Sequence, residues 1–199
     1  MPEPKQKIVI LFFHPTWHKS RVNRALISAV EGIESVTVRN MYDIYPDFYI
    51  NIRKEQEILL QNDIIIWQHP FYWYSSPSLL KEWIDLVLEH GFAYGRSGTA
   101  LKGKKVMSAI TSGGRREVYR KGGERRFTVP QLLAPFNQTV HLCYMEYLPP
   151  FVVHGTHLLD SAGIKEVADE YRRLVISLRD NLFSMDDIQA QEYINDLFN

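Results

Sequence analysis

Residues 63–94, DIIIWQHPFYWYSSPSLLKEWIDLVLEHGFAY, join a strand, a loop and a helix. The run from Ile64 to Trp67 is continuously apolar, which is typical of a strand buried on both faces. Ser76 is a good N-cap and Pro77 is tolerated at the first helical position, so a helix is predicted to begin here. Its apolar face recurs at helical spacing, at Leu79, Leu80, Trp83, Ile84, Val87 and Leu88. A buried strand followed by an amphipathic helix indicates an α/β fold.

The loop between these two elements carries four consecutive aromatic residues, Phe71 to Tyr74. Loops normally run over the surface and are polar, so this composition is unusual. A loop that follows the carboxyl end of a parallel strand is also where open α/β sheets bind ligands. Two interpretations are open on these residues alone: a wall for a flat ligand, or a hydrophobic plug or subunit contact.

Strand and helix patterns alternate along the rest of the chain. Further strands are predicted at residues 7–13, 36–38, 104–111 and 147–153; the last contains Pro149-Pro150 and is therefore expected either at a sheet edge or with an irregular pairing. Further helices are predicted from a cap at Ser20 to Gly32, over 53–61, over 131–143 with an interruption at Pro135, and over 161–182. This alternation predicts a three-layer α/β/α sandwich around a parallel, doubly wound sheet.

We expect one domain over residues 1–199, with a core over about 7–182 and a short helical extension over 184–199 that has no predicted function. The 23 basic and 23 acidic side chains balance, so no net charge favours a nucleic acid or a membrane surface. A single cysteine, Cys143, excludes an intrachain disulfide and suits a reducing cytosol. The apolar run at 8–13 is too short to span a bilayer. These features predict a soluble cytoplasmic protein.

The first strand–helix junction contains neither of the glycine-rich phosphate motifs, G-x-G-x-x-G or G-x-x-x-x-G-K-[ST]. A helix N-terminus nevertheless offers free N–H groups to a phosphate. The Ser20 hydroxyl, the Asn23 amide and the His14 ring could add hydrogen-bond donors. The alternative is that Ser20 only caps the helix and that His14 packs beside Pro15.

Residues 68–95, QHPFYWYSSPSLLKEWIDLVLEHGFAYG, resemble the signature segment of the flavodoxin-like NAD(P)H:quinone oxidoreductases. The resemblance extends over about residues 7–180. It is closest to the short bacterial members that act as ancillary proteins of glutathione-regulated potassium-efflux systems. It implies a five-stranded parallel sheet in the flavodoxin-like order 2-1-3-4-5.

The resemblance also implies which residues bind a flavin. The H-P…S-x-x-N positions would hold the phosphate-bearing tail: His14, Ser20, Arg21, Val22 and Asn23. The aromatic loop would contact the isoalloxazine ring, with Trp73 and Tyr74 its nearest neighbours: Pro70, Phe71, Tyr72, Trp73 and Tyr74. The T-S-G-G segment at the end of the fourth strand would face the N1–O2 edge of the ring: Thr111, Ser112, Gly113 and Gly114. Without the resemblance, that last segment reads equally well as a plain Gly-Gly turn.

The loop over residues 115–126 holds six basic residues in twelve, which usually means a solvated, mobile loop. The alternative is a lid whose arginines meet the phosphates of a nicotinamide cofactor. Tyr119 matches a tyrosine near the hydride-transfer site of the mammalian quinone reductase. The histidine that partners that tyrosine is replaced by Arg125, which cannot donate a proton at neutral pH but could stabilise an anion. Tyr119 and Arg125 are the candidate catalytic residues.

No metal site is predicted, because His14 and His18 lie in a proline-containing loop without a third ligand. His69 is expected to be a buried histidine with its hydrogen bonds satisfied. His154 and His157 show no recognisable pattern.

The resemblance implies a homodimeric enzyme that passes a hydride from NAD(P)H to FMN and then to a quinone or related electrophilic acceptor, in ping-pong fashion. FAD replaces FMN in some short relatives. Two other functions stay open. One is a regulatory subunit of a membrane potassium-efflux transporter, which would hold the protein at the inner face of the membrane. The other is a flavodoxin-like electron carrier, which the balanced charge disfavours.

Overall fold

A five-stranded sheet lies at the centre of the computed structural model, which describes residues 4–198. Residues 1–3 and 199 belong to the predicted lead-in and C-terminal extension and lie outside the described residues. The strands are β1 (Ile8–Phe12), β2 (Val36–Asn40), β3 (Ile64–Pro70), β4 (Lys105–Thr111) and β5 (Glu146–Val153). All four pairings are parallel and the spatial order is β2-β1-β3-β4-β5. The predicted fold class and strand order are confirmed.

Eight α-helices connect and cover these strands in the described part of the chain. They are α1 (Arg21–Val30), α2 (Met41–Ile44), α3 (Ile52–Gln61), α4 (Ser78–Val87), α5 (Val129–Leu132), α6 (Ala134–Leu142), α7 (Ser161–Arg179) and α8 (Met185–Gln189). Short 3-10 turns occur at Trp17–Lys19, Tyr72–Tyr74, Arg116–Val118 and Ile194–Phe198. Across residues 4–198, no helix combines the length and the apolar character needed to cross a bilayer.

Three helix boundaries differ from the prediction. The side chain of Ser76 does not cap α4: its hydroxyl donates to the Pro77 carbonyl at 3.3 Å, and Pro77 itself is the N-cap residue. The predicted helix over 131–143 is two helices, α5 and α6, since Pro135 fits only in the first turn of a helix and a new one therefore begins at Ala134. The last long helix ends at Arg179, before Asn181 adopts a left-handed φ of 51°.

The two faces of the sheet bury two separate cores. Side chains from alternate positions of each strand point to opposite faces, as the two-residue repeat of a strand requires. One face packs against α1 and α7 and buries residues such as Ile10, Ile66, Leu26 and Tyr171. The other face packs against α3, α4 and α6 and buries residues such as Leu11, Trp67, Trp83 and Val140. The sheet is thus covered on both sides, and ligands must reach it at its edges or ends.

Strand β5 lies at the edge of the sheet, as its prolines predicted. The pairing with β4 shifts register there: Met107 pairs with Leu148 and Ala109 with Phe151. Pro149 and Pro150 fall within that irregularity, where the missing N–H of proline costs no ladder hydrogen bond.

A buried carboxylate ties α3 to its neighbours. Glu55 is fully buried and accepts hydrogen bonds from the Arg39 guanidinium, from the Tyr45 hydroxyl at 2.7 Å and from the Trp83 indole N–H at 3.0 Å. A buried charge is tolerated when it is paired and its lone pairs are satisfied, and all three donors do so here. Burial and the bond to Glu55 raise the pKa of Tyr45 to about 12.

Candidate functional site

The loops that follow β1, β3, β4 and β5 meet at the carboxyl end of the sheet and enclose a cavity of about 360 Å³. The residues that line it are His14, Lys19, Ser20, Arg21, Val22, Asn23, Pro70, Phe71, Tyr72, Thr111, Gly113, Thr156 and His157. Most were predicted from sequence as one site. The structure brings them together because parallel strands place their carboxyl ends at the same edge.

One wall of the cavity is the N-terminus of α1. The Ser20 hydroxyl accepts a hydrogen bond from the Asn23 N–H at 3.2 Å and so caps the helix. The N–H groups of the first turn have no partner inside a helix, and the helix dipole gives this end a partial positive charge. Lys19 and Arg21 add full positive charges, and no acidic side chain is among the described residues that line the cavity. This wall suits a phosphate or another anion.

Asn23 supports this wall from below and does not itself present donors to a ligand. Its side-chain N–H groups donate to Thr111 Oγ1 at 2.9 Å and to Ser20 Oγ at 3.2 Å. Its side-chain oxygen accepts from the Gln68 amide at 3.5 Å, and Gln68 in turn accepts from the Tyr171 hydroxyl at 3.0 Å. The sequence predicted Asn23 as a donor to the ligand, whereas the structure uses it to join α1 to β4.

His14 contributes a neutral ring with one N–H available to a ligand. Its Nδ1 accepts a hydrogen bond from the Thr16 N–H at 3.1 Å, so the neutral ring carries its proton on Nε2. Burial lowers the pKa of His14 below its ordinary value, which favours the neutral form. The ring also packs edge-on against Tyr72, with centroids 6.3 Å apart. His14 therefore connects the anion-binding wall to the aromatic loop.

The aromatic loop divides into an inner and an outer half. Phe71 and Tyr72 line the cavity, and the Phe71 N–H is fixed by the Thr111 carbonyl at 2.8 Å. Trp73 is 93% exposed and Tyr74 is 41% exposed, and neither lines the cavity. Trp73 is thus not a buried plug in this chain. Nor does the structure bring it to the cavity where the resemblance placed the flavin ring.

Trp73 and Tyr74 also carry the least favourable backbone of the site. Their φ angles are 49° and 63°, in the left-handed region that most residues other than glycine and asparagine avoid. Two such residues in succession cost of order 1–3 kcal/mol each and persist where surrounding structure imposes them. Strained backbone of this kind concentrates at binding and switching sites.

The end of β4 supplies Thr111 and Gly113 to the cavity, whereas Ser112 and Gly114 contact Tyr119. Ser112 Oγ forms a hydrogen bond with the Tyr119 hydroxyl at 3.0 Å and accepts from the Gly114 N–H at 3.1 Å. A Cβ atom on Gly114 would lie 2.7 Å from the Tyr119 ring. The absence of a side chain at Gly114 therefore leaves room for the Tyr119 ring.

The two candidate catalytic residues lie outside the cavity lining. Tyr119 is 7% exposed and packs against Phe71, with ring centroids 6.1 Å apart. Arg125 is exposed on the loop 115–126, and its guanidinium lies 3.6 Å from the Glu124 carboxylate. Tyr119 also contacts the ring of His154, with centroids 5.7 Å apart.

Comparison with known proteins places the chain among flavodoxin-like proteins. The family model described as flavodoxin-like fold matches residues 6–175. The chain belongs to this family. The glutathione-regulated potassium-efflux system ancillary protein KefF of Enterobacter sp. (strain 638) is 40% identical over 169 residues, which are 85% of this chain and 95% of that protein.

Three solved structures support the same fold. A chain described as a thermophilic tryptophan halogenase from Streptomycin violaceusniger is 40% identical, with a TM-score of 0.82 over 84% of this chain and 98% of that chain. General stress protein 14 of Treponema denticola, in complex with FMN, is 34% identical, with a TM-score of 0.79 over 89% and 99%. An NADPH-quinone reductase from P. pentosaceus is 31% identical, with a TM-score of 0.77 over 84% and 96%.

Three lining residues were missed from the sequence: Lys19, Thr156 and His157. Lys19 precedes the predicted Ser20 cap and could have been found as a basic residue at a helix N-terminus. Thr156 and His157 follow the carboxyl end of β5. The predicted strand order places that end beside β4, so the same edge argument would have included them.

His69 and His154 are buried histidines whose hydrogen bonding is incomplete. His69 Nδ1 donates to the Pro70 carbonyl at 2.9 Å, but its Nε2 has no partner among the described residues. The expectation that His69 is satisfied is therefore only half right. Neither ring nitrogen of His154 forms a well-shaped hydrogen bond in the described part of the chain, and a weak interaction with the Gly114 backbone offsets only part of the effect of burial. Burial lowers the pKa of each to about 4.

These two histidines should make the protein less stable in mild acid. In the unfolded chain these two histidines bind protons near pH 6.5, whereas in the folded chain they bind them only near pH 4. The free energy of unfolding is therefore highest above about pH 6.5 and falls as the pH drops toward 4. Each histidine should cost about 2 kcal/mol of unfolding free energy between about pH 7 and about pH 5. Urea melts at both pH values measure the loss.

The variant His69→Phe removes one of the two titrations and keeps a flat ring beside Phe136, on which His69 stacks. Its stability should fall by about 2 kcal/mol less than that of the wild type over the same pH interval. An equal loss in the two proteins would show that His69 does not titrate in this way.

Proposed function

We propose that this chain is a flavin-dependent NAD(P)H:quinone oxidoreductase that binds FMN, with FAD as the alternative flavin. One observation carries the proposal: a single cavity joins a positively charged helix N-terminus to an aromatic wall. FMN has these two parts, a phosphate and a flat, largely apolar ring system. Among the similar structures, the Treponema denticola protein is described in complex with FMN and the P. pentosaceus protein as an NADPH-quinone reductase.

The residues present fit such a group. The first turn of α1, with Lys19, Arg21 and the Nε2–H of His14, would hold the phosphate. Phe71 and Tyr72 would contact the ring, and Gly113 leaves room beside it, since a Cβ there would meet only His157 Nδ1 at 3.6 Å. The remaining predicted residues shape the cavity or hold these groups in place: Ser20, Val22, Asn23, Pro70, Thr111, Ser112 and Gly114.

When bound, FMN would supply the chemistry, accepting a hydride from NAD(P)H and passing two electrons to a quinone or related acceptor. The protein's part is to orient the rings and to supply positive charge. We propose that Tyr119 acts beside the ring, since it packs against Phe71, and that Arg125 stabilises the anion that forms on reduction. The exposed arginines of the loop 115–126 would meet the nicotinamide cofactor.

A homodimer is part of the proposal. Several large aromatic side chains are exposed, three of them consecutive in the aromatic loop: Phe48, Tyr49, Tyr72, Trp73 and Tyr74. Monomeric proteins rarely leave such groups clustered in water, so a second copy of the chain is the proposed cover. Trp73 would then complete the ring site from the interface side.

A second candidate is a regulatory subunit of a membrane potassium-efflux protein. The observation that favours it is the 40% identity to KefF, which is named as an ancillary protein of such a system. The two functions are compatible, since a flavin site and a docking surface can occupy different faces of one chain.

The FMN site is tested by comparing FMN with riboflavin, which has the same ring and no phosphate. Charge-assisted hydrogen bonds are worth about 1.5–3 kcal/mol, so FMN should bind roughly 10–100-fold more tightly than riboflavin. Arg21→Gln should weaken FMN binding and leave riboflavin binding unchanged. Fluorescence titration measures both affinities.

Arg24→Gln is the matched control, because Arg24 lies on the same helix and donates to the His18 carbonyl outside the cavity. Equal affinity for FMN and riboflavin would contradict the assigned phosphate wall. A protein that binds neither FMN nor FAD would contradict the enzymatic proposal as a whole. With flavin bound, parallel initial-rate lines for NAD(P)H and quinone are expected of a ping-pong enzyme.

Trp73→Ala tests the role of the exposed indole. Because Trp73 makes little contact within its own chain, the unfolding free energy should change by less than about 0.5 kcal/mol. If the indole completes the ring site across the dimer, flavin affinity should fall by about 1–3 kcal/mol and the dimer should weaken. Urea melts, flavin titration and sedimentation analysis measure the three effects. A wild-type chain that is active as a monomer at micromolar concentration would exclude the dimer.

The transporter proposal predicts that the tagged chain co-purifies from solubilised membranes with an integral potassium-efflux protein. Arg21→Gln, which changes the cavity alone, should not reduce that association. Recovery of the wild-type chain without any membrane protein, under conditions that preserve weak complexes, would count against a regulatory role.

A further inference from the structure

Residues 184–198 form a segment that lies beyond the part of the chain matched by the family model, which ends at residue 175. The sequence predicted a short helix here without a function. The structure shows α8 followed by the 3-10 turn Ile194–Phe198, and the segment contacts both β5 and the loop 115–126.

Apolar anchors hold the segment on the body of the protein. Ile188, Tyr193 and Ile194 are 3%, 2% and 0% exposed. Burial of large apolar side chains is favourable because it removes them from water. The segment is therefore packed structure and not a loose tail.

Polar contacts attach the same segment to the outer edge of β5. The Val152 N–H donates to Asn195 Oδ1 at 2.8 Å, and the Gln189 amide donates to the Tyr147 carbonyl at 3.1 Å. Asn195 also donates to Glu170 of α7 at 2.8 Å. These bonds fix the position of the neighbouring Asp196.

Asp196 binds the loop 115–126 through an ion pair with Arg116. The guanidinium donates two parallel hydrogen bonds to the carboxylate, Nη1 to Oδ1 at 2.8 Å and Nη2 to Oδ2 at 2.6 Å. The same guanidinium lies over the Tyr193 ring, 4.6 Å from its centroid. A two-pronged pair with an aromatic face beneath it fixes both the position and the orientation of Arg116.

Arg116 is joined directly to Tyr119. The Tyr119 N–H donates to the Arg116 carbonyl at 3.0 Å, closing the short turn Arg116–Val118. Tyr119 then contacts Phe71 of the aromatic loop and bonds to Ser112 at the end of β4. An unbroken series of contacts thus leads from Asp196 to the wall of the cavity.

We propose that Asp196 is a positioning residue, and that residues 184–198 are a brace that holds the loop 115–126 and its Tyr119 against the cavity. Without the brace, a loop with six basic side chains in twelve residues would be held by its own short turns and by the contacts of Tyr119 with Phe71 and Ser112. The brace acts on the loop whatever ligand the cavity takes, so it can be tested without a flavin.

Trypsin provides the test, because the loop carries cleavage sites after Arg120, Lys121, Arg125 and Arg126, away from the ion pair itself. Cleavage of a transiently opened loop follows the population of the open form. In the full chain, Asp196→Asn should speed cleavage at these sites roughly fivefold, the factor for about 1 kcal/mol. Amide hydrogen exchange at Tyr119 should rise by a similar factor, and Asp196→Glu should restore most of the protection.

Glu34→Gln is the matched control, since it removes one negative charge from an ion pair with Lys5 at the amino end of the sheet, opposite the loop. It should leave loop cleavage at the wild-type rate. Arg116→Gln should open the loop as Asp196→Asn does, and the double variant should be no faster than either single one. Three outcomes would each overturn the proposal. They are a wild-type cleavage rate in Asp196→Asn, additive effects in the double variant, and equal acceleration at tryptic sites throughout the chain.

Discussion

The buried amide of Asn23 is the contact on which the site depends. It joins the first turn of α1 to the end of β4, and through Gln68 and Tyr171 it reaches β3 and α7. Inside a protein an unpaired amide is costly, so each partner must stay in place for the others to be satisfied. The constraint fixes the distance between the helix N-terminus and the strand ends, and hence the shape of the cavity between them.

Neighbouring residues of one sequence motif have different roles in this site. Ser20 and Asn23 hold the helix terminus, while Lys19, Arg21 and His14 present charge and a ring N–H to the cavity. At the end of β4, Gly113 faces the cavity and Gly114 admits Tyr119. Adjacent residues that look equivalent in the sequence therefore have different partners.

These differences show which parts of the fold and of the site could be predicted from the sequence alone. Apolar runs and their spacing predicted the five strands, because buried strands and helix stripes have short-range signatures. The strand order and most residues of the cavity were predicted from the resemblance to the family. The partners of Asn23 and Glu55 include residues far along the chain, and no local pattern reveals them. The exposure of Trp73 and its left-handed backbone are likewise set by the turn as a whole. His154 and His157 carried no motif, and only the neighbouring strands give them a place.

The covered edge of β5 affects how copies of the protein associate at high concentration. An open sheet has two edges, and each presents free backbone groups to any strand that passes. Here Asn195 and Gln189 occupy groups on one edge, whereas β2 forms the other with only partly buried side chains. A sheet with one available edge can join a single neighbour but cannot pass the pairing on, so stacking of many copies edge to edge would end at a pair.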